Sequence, residues 1–433
     1  MPKFLRRQPA GRIIAAGFLT VILVGSLLLS LPCSLKDGVD ISYIDALYTS
    51  TSAVCVTGLV VVDAGDTFSV FGQIVLGLLI QIGGLGVTAV GTGIIIAMGK
   101  KVDLKGRNLI RESLNVDSGK GLVGFIKDIF ITTIVFELLG AVSSFFVFVQ
   151  DYPPLKAIGI SLFHSVAAFN NSGFDVLGNF QNLIPYQNNI ALNIITCTLI
   201  FFGGIGFLVI REMWLTKGRW RKMSMHSKVV ISVSVSLIVI GALLLKLTQN
   251  DMSWLGAFFH SVSARTAGFS TYPLGNLTES GLLVLTVLMF IGASPGSTGG
   301  GIKTSTFFVL LQGIKSASSN KSEKAFNYAV PQYAFRKASV ITLLALGVVM
   351  LGTFLMSIFE PQLALSDILF EITSAFGTVG LSTGISPDLT PYSKFLCIVI
   401  MYIGRLGPLT VASLWYFGEK ERVSYPDGNI AIG

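Results

Sequence analysis

Charge is what this chain has least of. Only 12% of its 433 residues are Asp, Glu, Lys or Arg, where soluble domains average about 25%. Hydrophobic residues make up 52%, and the mean hydropathy is +0.73. A soluble fold of this length cannot hide so much apolar surface, so the expected solvent is a lipid bilayer. Cysteine is also scarce. Cys33, Cys55, Cys197 and Cys397 form no CxxC pair, which argues against a zinc site and a disulfide framework. Cys55 reads as a small packing residue. No constellation of Ser, His and carboxylate with catalytic spacing is present, so an enzyme is not expected. Gly301-Ile302-Lys303-Thr304 places Ile between Gly and Lys, and Gly119-Lys120-Gly121 fails as well, so no phosphate-binding loop is expected.

What the chain has in abundance is apolar runs. The N-terminus has a basic start (Lys3, Arg6, Arg7, Arg12) and then an apolar run, Ile13 to Leu31. The run is near the ~20 residues needed to cross hydrocarbon, and Leu29-Ser30-Leu31-Pro32 is a poor cleavage site, so a first span is expected and not a signal peptide. Eight spans follow from the pattern, at 12–31, 70–98, 124–149, 188–210, 229–248, 280–313, 338–359 and 393–417. Between the members of each pair lies a shorter semi-polar stretch, at 42–56, 156–171, 252–266 and 365–378. These are too short to span and too apolar to be free loops, so re-entrant helices are expected.

The short stretches end alike: Ser52-Ala53-Val54-Cys55-Val56-Thr57-Gly58-Leu59, Ala167-Ala168-Phe169-Asn170-Asn171-Ser172-Gly173-Phe174, Ser263-Ala264-Arg265-Thr266-Ala267-Gly268-Phe269 and Ser374-Ala375-Phe376-Gly377-Thr378-Val379-Gly380-Leu381. The glycines are 115, 95 and 112 residues apart, and the third copy is one residue shorter before its glycine. The expected fold is an all-α membrane protein of four tandem helix–pore helix–helix units, with eight transmembrane helices and four re-entrant pore helices around one pseudo-fourfold pore. The unit boundaries fall at 1–110, 111–222, 223–325 and 326–433. Four such copies can ring one axis with backbone carbonyls, replacing an ion's water shell. A bare ion costs on the order of 20 kcal/mol to bury by an idealised Born argument. Glycine lets consecutive carbonyls turn inward, and the C-terminal ends of the pore helices add partial negative charge. The expected ion site is therefore Val56, Thr57, Gly58; Asn171, Ser172, Gly173; Thr266, Ala267, Gly268; and Thr378, Val379, Gly380, with a monovalent cation as cargo.

A second motif lies in the latter span of each unit: Ile82-Gly83-Gly84-Leu85-Gly86, Phe202-Gly203-Gly204-Ile205-Gly206, Ile291-Gly292-Ala293-Ser294 and Ile403-Gly404-Arg405-Leu406-Gly407. Such glycines permit either close helix approach or a kink. The third copy runs on through Gly292, Ala293, Ser294, Pro295, Gly296, Ser297, Thr298, Gly299, Gly300 and Gly301, which no helix can cross unbroken. An intramembrane gate loop over 292–301 is expected. Arg405, a charge inside an apolar span, is expected to face a cavity, where it either tunes the cation path or bonds the loop's carbonyls. Lys303 stands at the end of the loop or at the cytoplasmic end of the pore. His164, His260, Glu137 and Glu371 read as local hydrogen-bonding residues.

Of the 31 basic residues, 25 fall in the N-terminal arm, 99–127, 211–228, 303–337 or after Phe417. With eight spans all five segments lie on one side, so both termini are expected in the cytoplasm, and the net charge of +8 needs no nucleic-acid partner. Asp37, Asp40, Asp45, Asp63, Asp66, Asp151 and Asp175 fall opposite, either gathering cations or simply solvated. An alternating-access transporter is the competing reading, but it expects inverted repeats, and these four run in the same direction.

The strings around Gly173 and Gly268, with Gly-Ser-Thr-Gly-Gly-Gly-Ile-Lys-Thr ending at Thr304, resemble the Trk/Ktr/HKT superfamily of potassium transporters over nearly the whole chain. The resemblance is greatest to the bacterial KtrB-type subunit. It implies a multi-pass protein of the bacterial cell membrane and, with Gly58 where some plant members carry serine, potassium selectivity. It also implies a homodimer with one pore per protomer, resting on a cytosolic RCK-type regulatory ring (KtrA- or KtrC-like). That ring, not this chain, would bind nucleotide. Sodium stimulation is implied too. Arg219 to Lys228 would be a docking surface, and 427–433 resembles the family's interfacial tail.

Overall fold

The computed structural model describes residues 9–98, 106, 109, 121–319 and 323–414. Four helices are long and apolar enough to cross a membrane: Ala10–Leu29, Leu122–Phe148, Met225–Thr248 and Tyr333–Phe359. Each turns an exposed apolar stripe outward, such as Leu19, Leu23 and Leu27, or Leu343, Met350 and Phe354. That pattern suits lipid and would be costly in water.

After each long helix comes a short one: Tyr43–Val54, Pro154–Phe169, Trp254–Ser263 and Leu365–Gly377. They coincide closely with the four short stretches marked in the sequence. Ser42 and Ser253 cap two of them by accepting hydrogen bonds from the N–H groups of Asp45 and Gly256, contacts worth about 1 kcal/mol each.

The latter spans expected at 70–98, 188–210 and 393–417 are broken and not straight runs, and the one at 280–313 is interrupted by the loop expected there. Val70–Leu85 and Val87–Ala97 meet at 98°, and Ile190–Ile205 and Phe207–Leu215 at 97°. Pro391–Leu406 gives way to Pro408–Ser413. The break falls each time on the last glycine of the motif: Gly86, Gly206 and Gly407 share φ near +90° and ψ near +135°, a conformation open to glycine and closed to branched residues. In the third copy Glu279–Phe290 stops, a loop runs to Lys303, and Thr304–Ser319 resumes. Hydropathy carried no trace of these breaks because both halves are apolar. The first glycine of the motif does the other job. A Cβ on Gly83, Gly203 or Gly404 would fall within 3.0 Å of the carbonyl oxygen of Val54, Phe169 or Phe376, at the C-terminal ends of the short helices. Close approach and kink are thus both present, at different glycines.

The helices close on themselves. Val70–Leu85 packs against the second short helix, Ile190–Ile205 against the third, Glu279–Phe290 against the fourth, and Pro391–Leu406 against the first. Three long-range contacts seal that last joint: Lys394 Nζ to Asp45 Oδ1 at 2.7 Å, the Tyr402 hydroxyl donating to Ala15 O at 2.7 Å, and Arg12 Nε donating to Leu414 O at 2.8 Å. A two-residue antiparallel hairpin, Lys324–Ala325 with Tyr328–Ala329, precedes the last long helix. The rest of the described fold is helix and loop. Residues 427–433 lie outside the described residues, as do most of 99–120.

Candidate ion pathway

The four glycines come together as a ring. A Cβ on Gly58 would fall within 3.0 Å of Ser172 O, one on Gly268 within 3.0 Å of Val379 O, and one on Gly380 within 3.0 Å of Thr57 O; on Gly173 the nearest atom, Ala267 O, would be 2.7 Å away. Each glycine therefore lies against the carbonyl of the residue just before its neighbour's glycine, in the order first, second, third, fourth, first. Real Cβ atoms essentially never come so close, so backbone sits where any side chain would go.

The backbone repeats with the same register. Gly58, Gly173, Gly268 and Gly380 all have positive φ, and so does the residue two places before each: Val56, Asn171, Thr266 and Thr378. The residues between them (Thr57, Ser172, Ala267, Val379) do not. Alternating the sign of φ turns successive carbonyls to one side, where a strand would alternate them. The shorter third copy keeps this register. It absorbs the missing residue at Thr266, whose φ of +99° departs from the 50–57° of the other three.

Serines at the ends of the short helices hold the ring from behind. Ser52 Oγ accepts from Gly58 N and Ser374 Oγ from Gly380 N, both at 3.0 Å. Ser263 Oγ donates to Phe269 O at 2.5 Å. The second copy has Ala167 at this place, and Ser172 Oγ reaches back to its carbonyl at 3.4 Å. Removing the Ser52 or Ser374 hydroxyl leaves a buried N–H unpaired, at a cost of about 1–3 kcal/mol. Ser374→Ala should therefore lower the melting temperature in detergent by several degrees. An unchanged melting curve would show that the hydroxyl supports nothing.

Beyond the glycines opens a cavity of about 520 Å³ lined by all four copies, with Asp63 and Asp175 as its acidic groups. Asp63 is already engaged, accepting from Phe180 N at 2.6 Å and Asp66 N at 2.8 Å. Of the other acids, Asp45 pairs with Lys394 and Asp151 accepts from the Tyr186 hydroxyl. Asp175 accepts from Leu177 N at 3.0 Å and Asn182 Nδ2 at 3.1 Å. Desolvation nonetheless pushes its carboxyl up to about 7, with Asp63 and Asp66 adding to the rise and those two hydrogen bonds opposing it.

On the opposite side of the ring lies the 292–301 loop. A Cβ on Gly299 would collide with the Thr266 hydroxyl, and one on Gly300 with that of Thr378, to which Gly300 N donates a hydrogen bond at 2.9 Å. Ser294 N and Thr298 N donate to Gly204 O and Gly203 O at 3.0 and 3.3 Å, and Phe207 N donates to Gly296 O at 3.0 Å. Ser297 Oγ turns back onto Ser294 O at 2.6 Å, and Ala293 O accepts from Thr304 N at 3.3 Å. The loop is thus fastened to the second, third and fourth copies directly under the ring. Arg405 supplies the first: its guanidinium donates to Thr298 O in the loop and to Gly83 O and Gly84 O. Arg405 thus bonds one carbonyl of the loop, Thr298 O, which is one of the two roles expected for it. Lys303 Nζ donates to Gly299 O at 2.7 Å and Gly300 O at 3.3 Å, so it belongs to the loop.

One residue went unremarked in the sequence. Arg265 is 7% exposed and donates to Ser234 O at 3.1 Å and Gly292 O at 3.3 Å, fixing the start of the loop. Its signal was the same as that of Arg405, a charge in an apolar setting, but it sat inside a repeat read for its glycine. Glu137 and Glu371 are hydrogen-bond acceptors as expected, for Asn170 Nδ2 and Ser386 Oγ. His260 bonds within its own copy, to Gly256 O and Ser270 Oγ. His164 reaches Thr196 on the neighbouring helix at 3.0 Å.

Known proteins resemble this chain over nearly its whole length. The model of the TrkH family, described as cation transport protein, matches residues 5–416. Ktr system potassium uptake protein B of Bacillus subtilis is 37% identical over 444 residues, covering 100% of this chain and 98% of that protein. Potassium/sodium uptake protein NtpJ of Enterococcus hirae is 35% identical over 445 residues, covering 99% and 98%. The crystal structure of the potassium transporter TrkH from Vibrio parahaemolyticus superposes with a TM-score of 0.72 at 20% identity, covering 93% of this chain and 85% of that one.

Proposed function

This chain belongs to the TrkH family of cation transport proteins, and from that premise we propose that it is the ion-translocating subunit of a Ktr-type potassium uptake system. The observation that carries the reading is the closed ring of Gly58, Gly173, Gly268 and Gly380, whose backbone supplies carbonyls without side chains in the way. Potassium is the cargo, bound by the carbonyls of the twelve residues 56–58, 171–173, 266–268 and 378–380. The 292–301 loop and Arg405 close the path beneath them. In this reading the four long helices and the four broken ones make eight crossings, the four short helices are re-entrant, and the units run 1–110, 111–222, 223–325 and 326–433. The side carrying the basic loops is cytoplasmic, as are both termini.

The names of the relatives support the rest. Ktr systems and a potassium/sodium uptake protein favour a bacterial cell-membrane location and a sodium effect. The partners proposed are a second copy of this chain and a cytosolic RCK-type ring that binds the nucleotide. The exposed Arg219, Arg221 and Lys222 offer that ring a basic surface.

The test is rubidium-86 uptake into potassium-loaded liposomes, with the regulatory ring added or the gate opened by mutation. External potassium should block uptake far better than sodium does. Equal block by the two ions would overturn the potassium reading. A second expectation concerns Asp175. As pH rises through about 7 its carboxyl ionises and draws cations to the cavity, so apparent affinity for external potassium should rise severalfold between pH 6 and pH 8. Asp175→Asn should flatten that dependence. A pH profile unchanged by the substitution would assign it to another group.

A further inference from the structure

Three residues before the Ser-Ala pair of each copy (Ala-Ala in the second), the short helices carry Thr49, His164, His260 and Glu371. Two residues beyond each ring glycine stand Val60, Asp175, Ser270 and Ser382, all on the cavity wall. In the third and fourth copies these two positions are tied together. His260 Nδ1 is fixed at 2.9 Å from Gly256 O in its own helix, and its Nε2 lies 3.2 Å from Ser270 Oγ. Glu371, fully buried, accepts from Ser386 Oγ. Ser386 Oγ lies 3.1 Å from Ser382 Oγ, and Ser382 Oγ accepts from Gly384 N at 3.0 Å. The first two copies lack the tie: Thr49 Oγ1 turns back to Asp45 O, and His164 pairs with Thr196. Glu371 is not there as filler. Its second oxygen, Oε2, has no hydrogen-bond partner among the described residues, a costly way to occupy space in a protein interior.

We propose that Glu371 and His260 are positioning residues that set ion preference from behind the ring, by holding the chain just past Gly380 and Gly268 at a fixed distance from the axis. A ring of glycines has no side chains to stiffen it and could close around a smaller ion. Discrimination between ions then depends on what anchors the backbone beside it. In the third and fourth copies that anchor runs from a helix through one or two hydroxyls to the residue after next. The inference rests on the ring being the filter.

The experiment compares Glu371→Ala, Glu371→Gln and Ser386→Ala in the gate-opened protein, reading the ratio of potassium to sodium inhibition constants for rubidium-86 uptake. Gln keeps an acceptor oxygen at the same place, and Ser386→Ala removes the same hydrogen bond with a far smaller change in the core. Glu371→Ala and Ser386→Ala should each lower the preference for potassium about tenfold, with Gln restoring it to within about twofold of the parent. Thr49→Ala, at the matching place in the first copy, should leave it unchanged. A preference unmoved in Ser386→Ala, or lost equally in Gln and Ala, overturns the inference. Gly268→Ser in the same assay separates the two readings: if it too leaves the preference unmoved, the filter assignment itself has failed.

Discussion

Gly268→Ser should reduce the preference for potassium over sodium at least tenfold, or about 1.4 kcal/mol of discrimination, while uptake persists. The added Cβ would fall within 3.0 Å of Val379 O at a residue with φ of +77°. The side chain therefore meets backbone, which cannot rotate away as a side chain would, and the segment carrying Val379 and Gly380 must move. The same holds for Gly58 and Gly380, whose Cβ atoms would meet Ser172 O and Thr57 O. Because each glycine abuts the next copy's carbonyl, one serine disturbs two neighbouring carbonyls, and the order of severity is itself a prediction. Gly173→Ser should be the mildest, since its nearest neighbour would be 2.7 Å away. The measurement is competition of rubidium-86 uptake by potassium and sodium for the four single variants. A preference unchanged in Gly58, Gly268 and Gly380 variants alike would remove the filter from this ring.

Opening the loop should give the second large effect. Deleting residues 293–301 should raise ion flux through the isolated subunit about tenfold or more, and Arg405→Ala should raise it less. The guanidinium donates to Thr298 O, Gly83 O and Gly84 O. Hydrogen bonds to a charged group contribute about 1.5–3 kcal/mol each, so losing them releases the loop from the first copy while its bonds to Gly203, Gly204 and Thr378 remain. The deletion removes those too and strips partners from two helix-end carbonyls, so it should also lower thermal stability. Flux and melting temperature measured on the same preparations check both statements. A deletion that folds and conducts no faster than the parent would show that the loop is not the barrier.

Much of this site was legible because it is written four times. One glycine after an apolar helix means little, whereas the same glycine at the same place in four copies fixed both the ring and its members. The shared positive φ at Val56, Asn171, Thr266 and Thr378 shows that aligning on the glycine was right even in the shorter third copy. The loop at 292–301 was legible for a different reason, since proline and five glycines cannot continue a helix. At Gly86 and Gly206 the motif left close approach and kink both open, and hydropathy could not choose, because it measures what surrounds a chain and not its direction. Arg265 was overlooked because its partners, Ser234 and Gly292, are 31 and 27 residues away in sequence and become neighbours only when the third unit folds. The tie between Glu371 and Ser386 was hidden likewise, with one group on a helix and the other in the loop after the ring.

The most direct measurement is the position of a heavy monovalent ion in the folded protein. Thallium or rubidium, soaked into crystals or added before freezing for electron microscopy, should appear on the axis between Gly58, Gly173, Gly268 and Gly380, at contact distance from their carbonyls, and should fade as potassium is added. Density that lies off this axis, or that sodium displaces as readily as potassium does, would contradict the account at its centre.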